Sequence, residues 1–591
     1  MHFPTLTAPA VTRQTVDVFG GYRHSLRIRD GEFYHMENLT SDRYPLLAPR
    51  GKRGLLVKGN CRGLIVKDTL CRVEGANFVV GEFHYPMGLS SGIKTLVSMG
   101  AYVIILPDKK YINTARPTEW GYIDASFTTT EPVAMTLCDE EGKAYDIAFT
   151  QAEPPGEPGH LQYWMDTSTQ PHSLKQYSES TGMWVPVSST YVRMDSTGIG
   201  AAFEQYDGVT LSGLKGKELI DHKTGQVISD PQVEALEGTN VLWKKGTHYV
   251  VLTGLLDVPR TLTNKITLRR KMPNVDFVVE AGNRLFGCRY GTDASGKVVN
   301  EIYASKLGDF KNWHCYMGIS TDSYSASLGS DGRFTGAVTH LGYPLFFKEH
   351  CLHKVYGRQP SDFRIQETRC RGVEKGSEKS LAIVGETLYY KSADGVCAYD
   401  GSLPRDISEP LGRKPYKNGV GGSWGSKYYL SAEDPEGGRH LLVYDTARGL
   451  WHRESGLAVE AFCSHGRELY ALEKDTGRVL TLGGSGLPLE TKVFWEAETG
   501  QLETTTPDHK YLSRLNLQMQ LSPGSRVTVS VSYDSDGVWE QVGAVTGTGL
   551  RSFSLPIRPR RCSHLRLRLS GEGPMALYSM SKTMEQGSDL P

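Results

Sequence analysis

The sequence predicts an all-β fold: a β-propeller of about six or seven blades, interrupted by a β-rich inserted domain and followed by a C-terminal, jelly-roll-like β-sandwich. Three observations predict it. Of 591 residues, 65 are Gly, 30 Tyr and 29 Pro, and 39% are hydrophobic, which describes a turn-rich globular protein and not a helix bundle, a collagen or a disordered chain. Short strand-like segments recur at intervals near forty residues. Near the C-terminus, apolar and polar side chains alternate with period two, the spacing of strands with one buried face.

Residues 1–54 read as an N-terminal arm with the first strands, and 55–124 as the first part of the propeller. In the latter, CRGLIVKDTLCRVEGANFVVGEF from Cys61 and GIKTLVSMGAYVIILPDKKYIN from Gly92 each break into short β segments at Gly or Lys-Asp turns. Residues 125–240 depart from the period, with EPPGEPG from Glu153, Trp164, Trp184 and a β-rich segment from Tyr191, and read as the inserted domain. Residues 241–486 return to the propeller. There RLFG from Arg284, PLFF from Pro344, TLYY from Thr387, KYYL from Lys427 and ELYA from Glu468 begin 60, 43, 40 and 41 residues apart. Each is followed, after a Gly or Asp turn, by a second β segment such as NEIYAS, HKVYGR or LLVYDT, and in the later units a further strand precedes it. One four-stranded blade cannot bury both of its faces, so such units stack radially about an axis. Residues 487–580 form the sandwich, from the alternation of Leu515, Leu517, Met519 and Leu521, of Val527, Val529 and Val531, and of Leu565, Leu567 and Leu569; 581–591 read as a flexible tail.

The charge balance narrows the function classes. Lys and Arg number 66 and so do Asp and Glu, so the chain lacks the overall positive surplus of a tight nucleic-acid binder. Ten cysteines show no CxxC or zinc-type spacing, which points to a reducing compartment without a disulfide scaffold. The N-terminus has no leader pattern, and apolar runs such as 102–107 fall far short of the ~20 residues that cross a bilayer, so a soluble protein with no membrane-spanning segment is expected.

Strings that imitate catalytic motifs lack the context that chemistry requires. Gly-x-Ser-x-Gly occurs around Ser90 and Ser423, but a nucleophile elbow needs a strand before it and a helix after it, and both strings run on into strand-like sequence. Asp534-Ser535-Asp536-Gly537 reads as a hairpin turn, and His350 and His353, three apart on a strand, point to opposite faces and read as structural. No P-loop, dinucleotide fingerprint or HExxH is present, so no catalytic, cofactor-binding or metal-ligating residue is assigned. Carboxylates of the glycosidase kind come from distant strands and leave no local spacing to read. Two stretches concentrate arginine, RTLTNKITLRRKMP from Arg260 and IRPRRCSHLRLRL from Ile557. In the second, Arg558, Arg560, Arg561, Arg566 and Arg568 are candidates for subunit or DNA contact, with Arg566 and Arg568 on the strand face opposite the leucines.

Particular strings resemble a known group. MENLTSDRYPLLAPRGKRG at 36–54 is similar to the opening of the propeller-type tail proteins of bacteriophages. From residue 283 the order NRLFGCRYG, NEIYASKLGDFKNWH, PLFFKEHCLHKVYG and DGVCAYDG resembles the nozzle proteins of short-tailed phages, the tail tubular protein B type, and related head-to-tail stabilisation proteins. The resemblance covers the propeller and, more weakly, the sandwich through KYLSRLNL and RPRRCSHLRLRLSG. It implies a virion structural protein without enzymatic activity or cofactor. It further implies a homohexameric ring in the tail, built in the host bacterial cytoplasm, with the portal, the adaptor and other tail proteins as partners. That ring closes the channel after packaging and passes double-stranded DNA on infection. Two other readings stand beside it: a receptor- or glycan-binding tail-tip protein using Tyr163, Trp164 and Trp184, and a propeller glycosidase or depolymerase.

Overall fold

The computed structural model describes residues 11–25, 27–215, 219–220, 227–228, 230–412, 414–502 and 510–586. Strands dominate, and the α-helix among the described residues is the short Pro231–Glu234. The chain divides into two compact bodies, one of residues up to 96, 332–354 and 367 onward, the other of 97–331 and 355–366.

The protein is a β-propeller with a β-rich insertion and a C-terminal sandwich. Seven sheets follow the blade pattern among the described residues, six of them meanders of four strands in chain order. Blades 1 and 2 occupy 61–86 and 95–122, blades 3 and 4 occupy 277–327 and 336–369, and blades 5 and 6 occupy 382–406 and 417–455. Blade 7 is built differently. Its strands Val459–His465, Glu468–Glu473 and Val479–Thr481 are completed by Gly54–Val57 from the N-terminal arm, so the start of the propeller chain stitches its end. Leu487–Pro488 adds a short fifth strand on the same partner.

The repeated strings have a common position: RLFG, PLFF, TLYY, KYYL and ELYA each lie in the second strand of a blade. That strand is buried on both faces, which explains continuous apolar runs where one-sided burial would give alternation. Tyr428, Tyr429 and Leu430 are all buried, Tyr428 and Leu430 in a cluster with blade 5 and Tyr429 in one with blade 7. Leu345 and Phe347 of blade 4 meet Leu388 and Tyr390 of blade 5, and Leu472 and Val479 of blade 7 meet Cys61 of blade 1. In the other body, Ile104 of blade 2 shares a cluster with Leu285 and Tyr303 of blade 3.

The insertion runs further than the expected 125–240. Tyr249–Thr253 pairs with Tyr191–Asp195, Arg260–Leu262 with Val133–Cys138, and Thr267–Arg270 with Ala125–Thr128. The chain therefore regains a blade only at Phe277–Ala281. The physical reason is that the strand leading into the insertion needs an antiparallel neighbour, and Leu256, Ile266 and Leu268 bury themselves in the same core as Val133 and Val192. The arginine-rich stretch from Arg260 is accordingly sheet, with Arg270 buried and its guanidinium 2.5 Å from Asp207.

The sandwich takes two strands from the arm. Val11–Val16 joins the sheet of Lys510–Leu521, Gly549–Leu555 and Met575–Gln586, while His35–Glu37 edges the sheet of Phe494–Glu498, Arg526–Tyr533, Glu540–Thr546 and Leu565–Glu572. The alternating residues from Leu515 to Leu521, Val527 to Val531 and Leu565 to Leu569 are buried between the sheets. The expected tail at 581–591 is ordered strand through Gln586, because Met580 and Met584 are buried and Lys582 to Glu585 pair with the arm; 587–591 lie outside the described residues. None of the ten cysteines, all of them among the described residues, is in a disulfide. Ser423 lies in the strand Lys417–Trp424, with no helix following it, and Ser90 accepts a hydrogen bond from Lys94 Nζ at 2.7 Å.

Candidate interaction site on the terminal sandwich

The arginine-bearing strand Leu565–Glu572 occupies an interior position in its sheet, between Phe494–Glu498 and Arg526–Tyr533. Leu565, Leu567 and Leu569 point into the core, and Arg566 and Arg568 lie on the other face. That face is not a free cationic stripe. Glu498, 6% exposed and opposite Arg568 in register, receives Arg568 Nη2 at 2.8 Å on one oxygen and pairs with Arg566 through the other. The Arg568 guanidinium lies 3.9 Å from the Trp539 ring centroid, and that of Arg566 lies 4.7 Å from Tyr34. A carboxylate removed from water is tolerable only when paired, and two guanidinia stacked on rings supply that pairing while giving up much of their own capacity for outside anions.

The other three predicted arginines lie elsewhere. Arg558, Arg560 and Arg561 are exposed on the connector between Gly549–Leu555 and Leu565–Glu572, where Arg560 reaches Glu540 at 3.0 Å and Asp536 at 3.3 Å. The structure thus separates what reads in sequence as one basic run into a stacked, carboxylate-bound pair and an exposed loop. Glu496 and Glu498 on the strand Phe494–Glu498, and Trp539 and Tyr34 on two separate loops, complete the face and escape sequence reading because they lie far from the arginines in the chain. The alternation in FWEAE from Phe494 is the one local sign of them. Burial raises the Glu496 carboxyl, an effect partly offset by Arg568, and burial beside Arg453 lowers His35.

Next to this face the string at 36–54 builds an anchor. Asn38 adopts φ 57°, a left-handed conformation that asparagine tolerates better than most residues. Its Oδ1 accepts from Arg50 Nε at 2.8 Å and from the Ser455 amide at 2.9 Å, and its Nδ2 donates to the Phe494 carbonyl at 2.7 Å. Arg50 grips both oxygens of Glu490 at 2.8 Å, and Arg53 reaches Glu454 at 3.0 Å. One turn therefore ties blade 6 to the first long strand of the sandwich.

The insertion's aromatic residues do not form open loops. Tyr163 and Trp164 share the strand Tyr163–Asp166, and Trp184 lies in Met183–Pro186. Trp164 is 2% exposed, its indole N–H donates to the Gln151 carbonyl at 2.9 Å, and Lys175 covers its ring at 4.8 Å. Trp184 packs edge-on against it with centroids 5.4 Å apart. Trp164 thus has no free ring face on which a sugar would stack, whereas Tyr163 and Trp184 are half-buried.

His353 is buried on Cys351–Tyr356, with Glu367 3.7 Å away, and among the described residues no group of three His, Cys, Asp or Glu is placed to hold a metal. No described helix is long and apolar enough to cross a membrane.

No family model matches the chain. No curated protein matches it either. Among solved structures it is similar to an exo-β-1,3-galactanase from Phanerochaete chrysosporium with galactose, at 10% identity over 52% of this chain and 94% of that one, TM-score 0.21. A GH43 protein from Bacillus licheniformis follows at 9% identity over 51% and 96%, TM-score 0.19. A sialidase from Trypanosoma rangeli aligns at 8% identity over 97% and 96%, TM-score 0.20. These neighbours correct one expectation: proteins named as glycoside hydrolases and sialidases stand among the structures similar to this chain, so the assignment as a non-enzyme is withdrawn. At this level of likeness no substrate or catalytic residue is transferred.

Proposed function

We propose that this chain is a structural subunit of a bacteriophage tail, of the nozzle type. Its copies join in a hexameric ring below the portal and adaptor after assembly in the bacterial cytoplasm, close the DNA channel, and pass double-stranded DNA on infection. The observation that carries the reading is the placement of the phage-like strings. NRLFGCRYG and NEIYAS fall on the second and third strands of blade 3, PLFF and HKVYG on those of blade 4, and LYYKS and GVCAYDG on those of blade 5. The resemblance therefore follows consecutive blades in chain order, and its opening string supplies both the Asn38 anchor and Gly54, the first residue of the closing strand.

Electrostatics support the same role. With 66 cationic and 66 anionic side chains the chain carries no net positive surplus, and Arg566 and Arg568 are held by Glu498; fewer phosphate contacts mean less drag on moving DNA. A ring of identical copies follows the usual cyclic symmetry of homo-oligomers.

Electron microscopy of purified virions labelled on this protein tests the proposal. Label at the tail below the portal, and class averages of the purified chain showing closed rings, are expected. Label confined to the capsid shell, or absent from particles, overturns the reading, and turnover of a polysaccharide by the pure chain would replace it with an enzymatic one.

A further inference from the structure

The outer face of the sandwich's five-stranded sheet carries a groove of about 460 Å³. Strand register sets its lining in two rows. Glu37, Glu496, Ser570 and Thr528 lie side by side across four strands, and Phe494, Glu572 and Arg526 lie side by side in the next row. Phe494 is 67% exposed, an unusual state for a large aromatic side chain in the middle of polar neighbours.

The charges of this groove are already balanced internally. Glu37 lies 3.7 Å from Arg453, Glu496 lies 3.7 Å from Arg568, and Glu572 lies 2.7 Å from Lys492. A cationic ligand would meet carboxylates that have their cations and would be repelled by Arg526. A polyanion would meet three carboxylates. What the groove offers is a mixture of acceptors on the carboxylates and donors on Arg526, Thr528 and Ser570, beside one exposed ring. A hydroxyl group both donates and accepts, and a pyranose presents hydroxyls at its edge and C–H groups on its face. We propose that this groove binds a neutral saccharide, with Phe494 against the sugar face and Glu496, Thr528 and Arg526 on its hydroxyls. The inference is independent of where the protein sits in a virion.

Calorimetric titration of the full-length chain tests it. The probes are neutral oligosaccharides derived from dextran, laminarin, mannan and galactan, with oligolysine and a short DNA duplex as contrasting ligands. At least one neutral oligosaccharide is expected to bind, and Phe494→Ala is expected to weaken that binding about tenfold without moving the melting temperature. Thr528→Val is expected to weaken it in the same sense, while Leu550→Ser, on the exposed edge strand of the opposite sheet, leaves it unchanged. The proposal fails if no neutral saccharide binds, if oligolysine or DNA binds in its place, or if both groove variants melt as wild type and bind as tightly.

Discussion

His452, on the outer strand of blade 6, is 2% exposed, and neither ring nitrogen has a hydrogen-bond partner among the described residues. Burial, reinforced by the nearby Lys427 ammonium, lowers its pKa from 6.5 to about 3. The unfolded chain takes up a proton near 6.5 while the folded chain refuses it, so between these values the unfolded state binds more protons and stability falls as pH falls. For one group the slope approaches about 1.4 kcal/mol per pH unit. His452→Leu is therefore expected to lose less stability than wild type when urea midpoints at pH 7 and pH 5 are compared; equal losses in the two proteins would rule out this origin. Above pH 6.5 the neutral imidazole adds nothing to the pH dependence. The residue attracts no notice in sequence, because what perturbs it is the closure of the sheet around it. The same holds for Glu498 and Glu496, whose arginine partners are adjacent in space and some seventy positions away in the chain.

Among the elements, the strand Gly54–Val57 decides whether the propeller chain is closed on itself. Gly54 faces Thr481 and Pro488 in register, and a Cβ there would lie 2.0 Å from the Ser485 carbonyl oxygen and 2.5 Å from Thr481 Oγ1. Neither can retreat without breaking the ladder, since Thr481 Oγ1 itself donates to that carbonyl at 2.6 Å. Gly54→Val is expected to destabilise the protein by about 3 kcal/mol, the upper part of the range for overpacking a close contact, read as a shift in denaturant midpoint. A shift below about 1 kcal/mol would mean that the strand is dispensable. The second strands of the blades were legible because burial on both faces writes an uninterrupted apolar run that repeats. The closing strand was not, since GLLV carries no signal of a partner more than four hundred residues away.

On the scale of the whole molecule, the insertion leaves and rejoins its body through neighbouring strands. Ala125 pairs with Arg270, and the Asp124 carboxylate accepts the Met272 amide at 2.7 Å, with Lys109 Nζ donating to Asp124 at 3.2 Å and to the Met272 carbonyl at 2.7 Å. Its core, from Val133 to Leu268, is a separate cluster. Residues 125–270 expressed alone are expected to fold, with a cooperative urea transition and a β-type circular dichroism spectrum, because a segment of this length with its own core meets the usual size of a domain. A noncooperative, collapsed product would show that the blades are needed to complete it.

The sequence by itself determined the all-β class, the blade repeat, the sandwich and its inward and outward faces, because each of these rests on a local periodicity that neighbouring residues must obey. It placed Leu565, Leu567 and Leu569 inside and Arg566 and Arg568 outside for that reason. Only the tertiary structure decided where the insertion ends, which arm strands enter the sandwich, and that Glu498 occupies those two arginines. Pairing between distant strands is set by long-range register and by the need to satisfy buried charge, and neither leaves a trace in any short window of the chain.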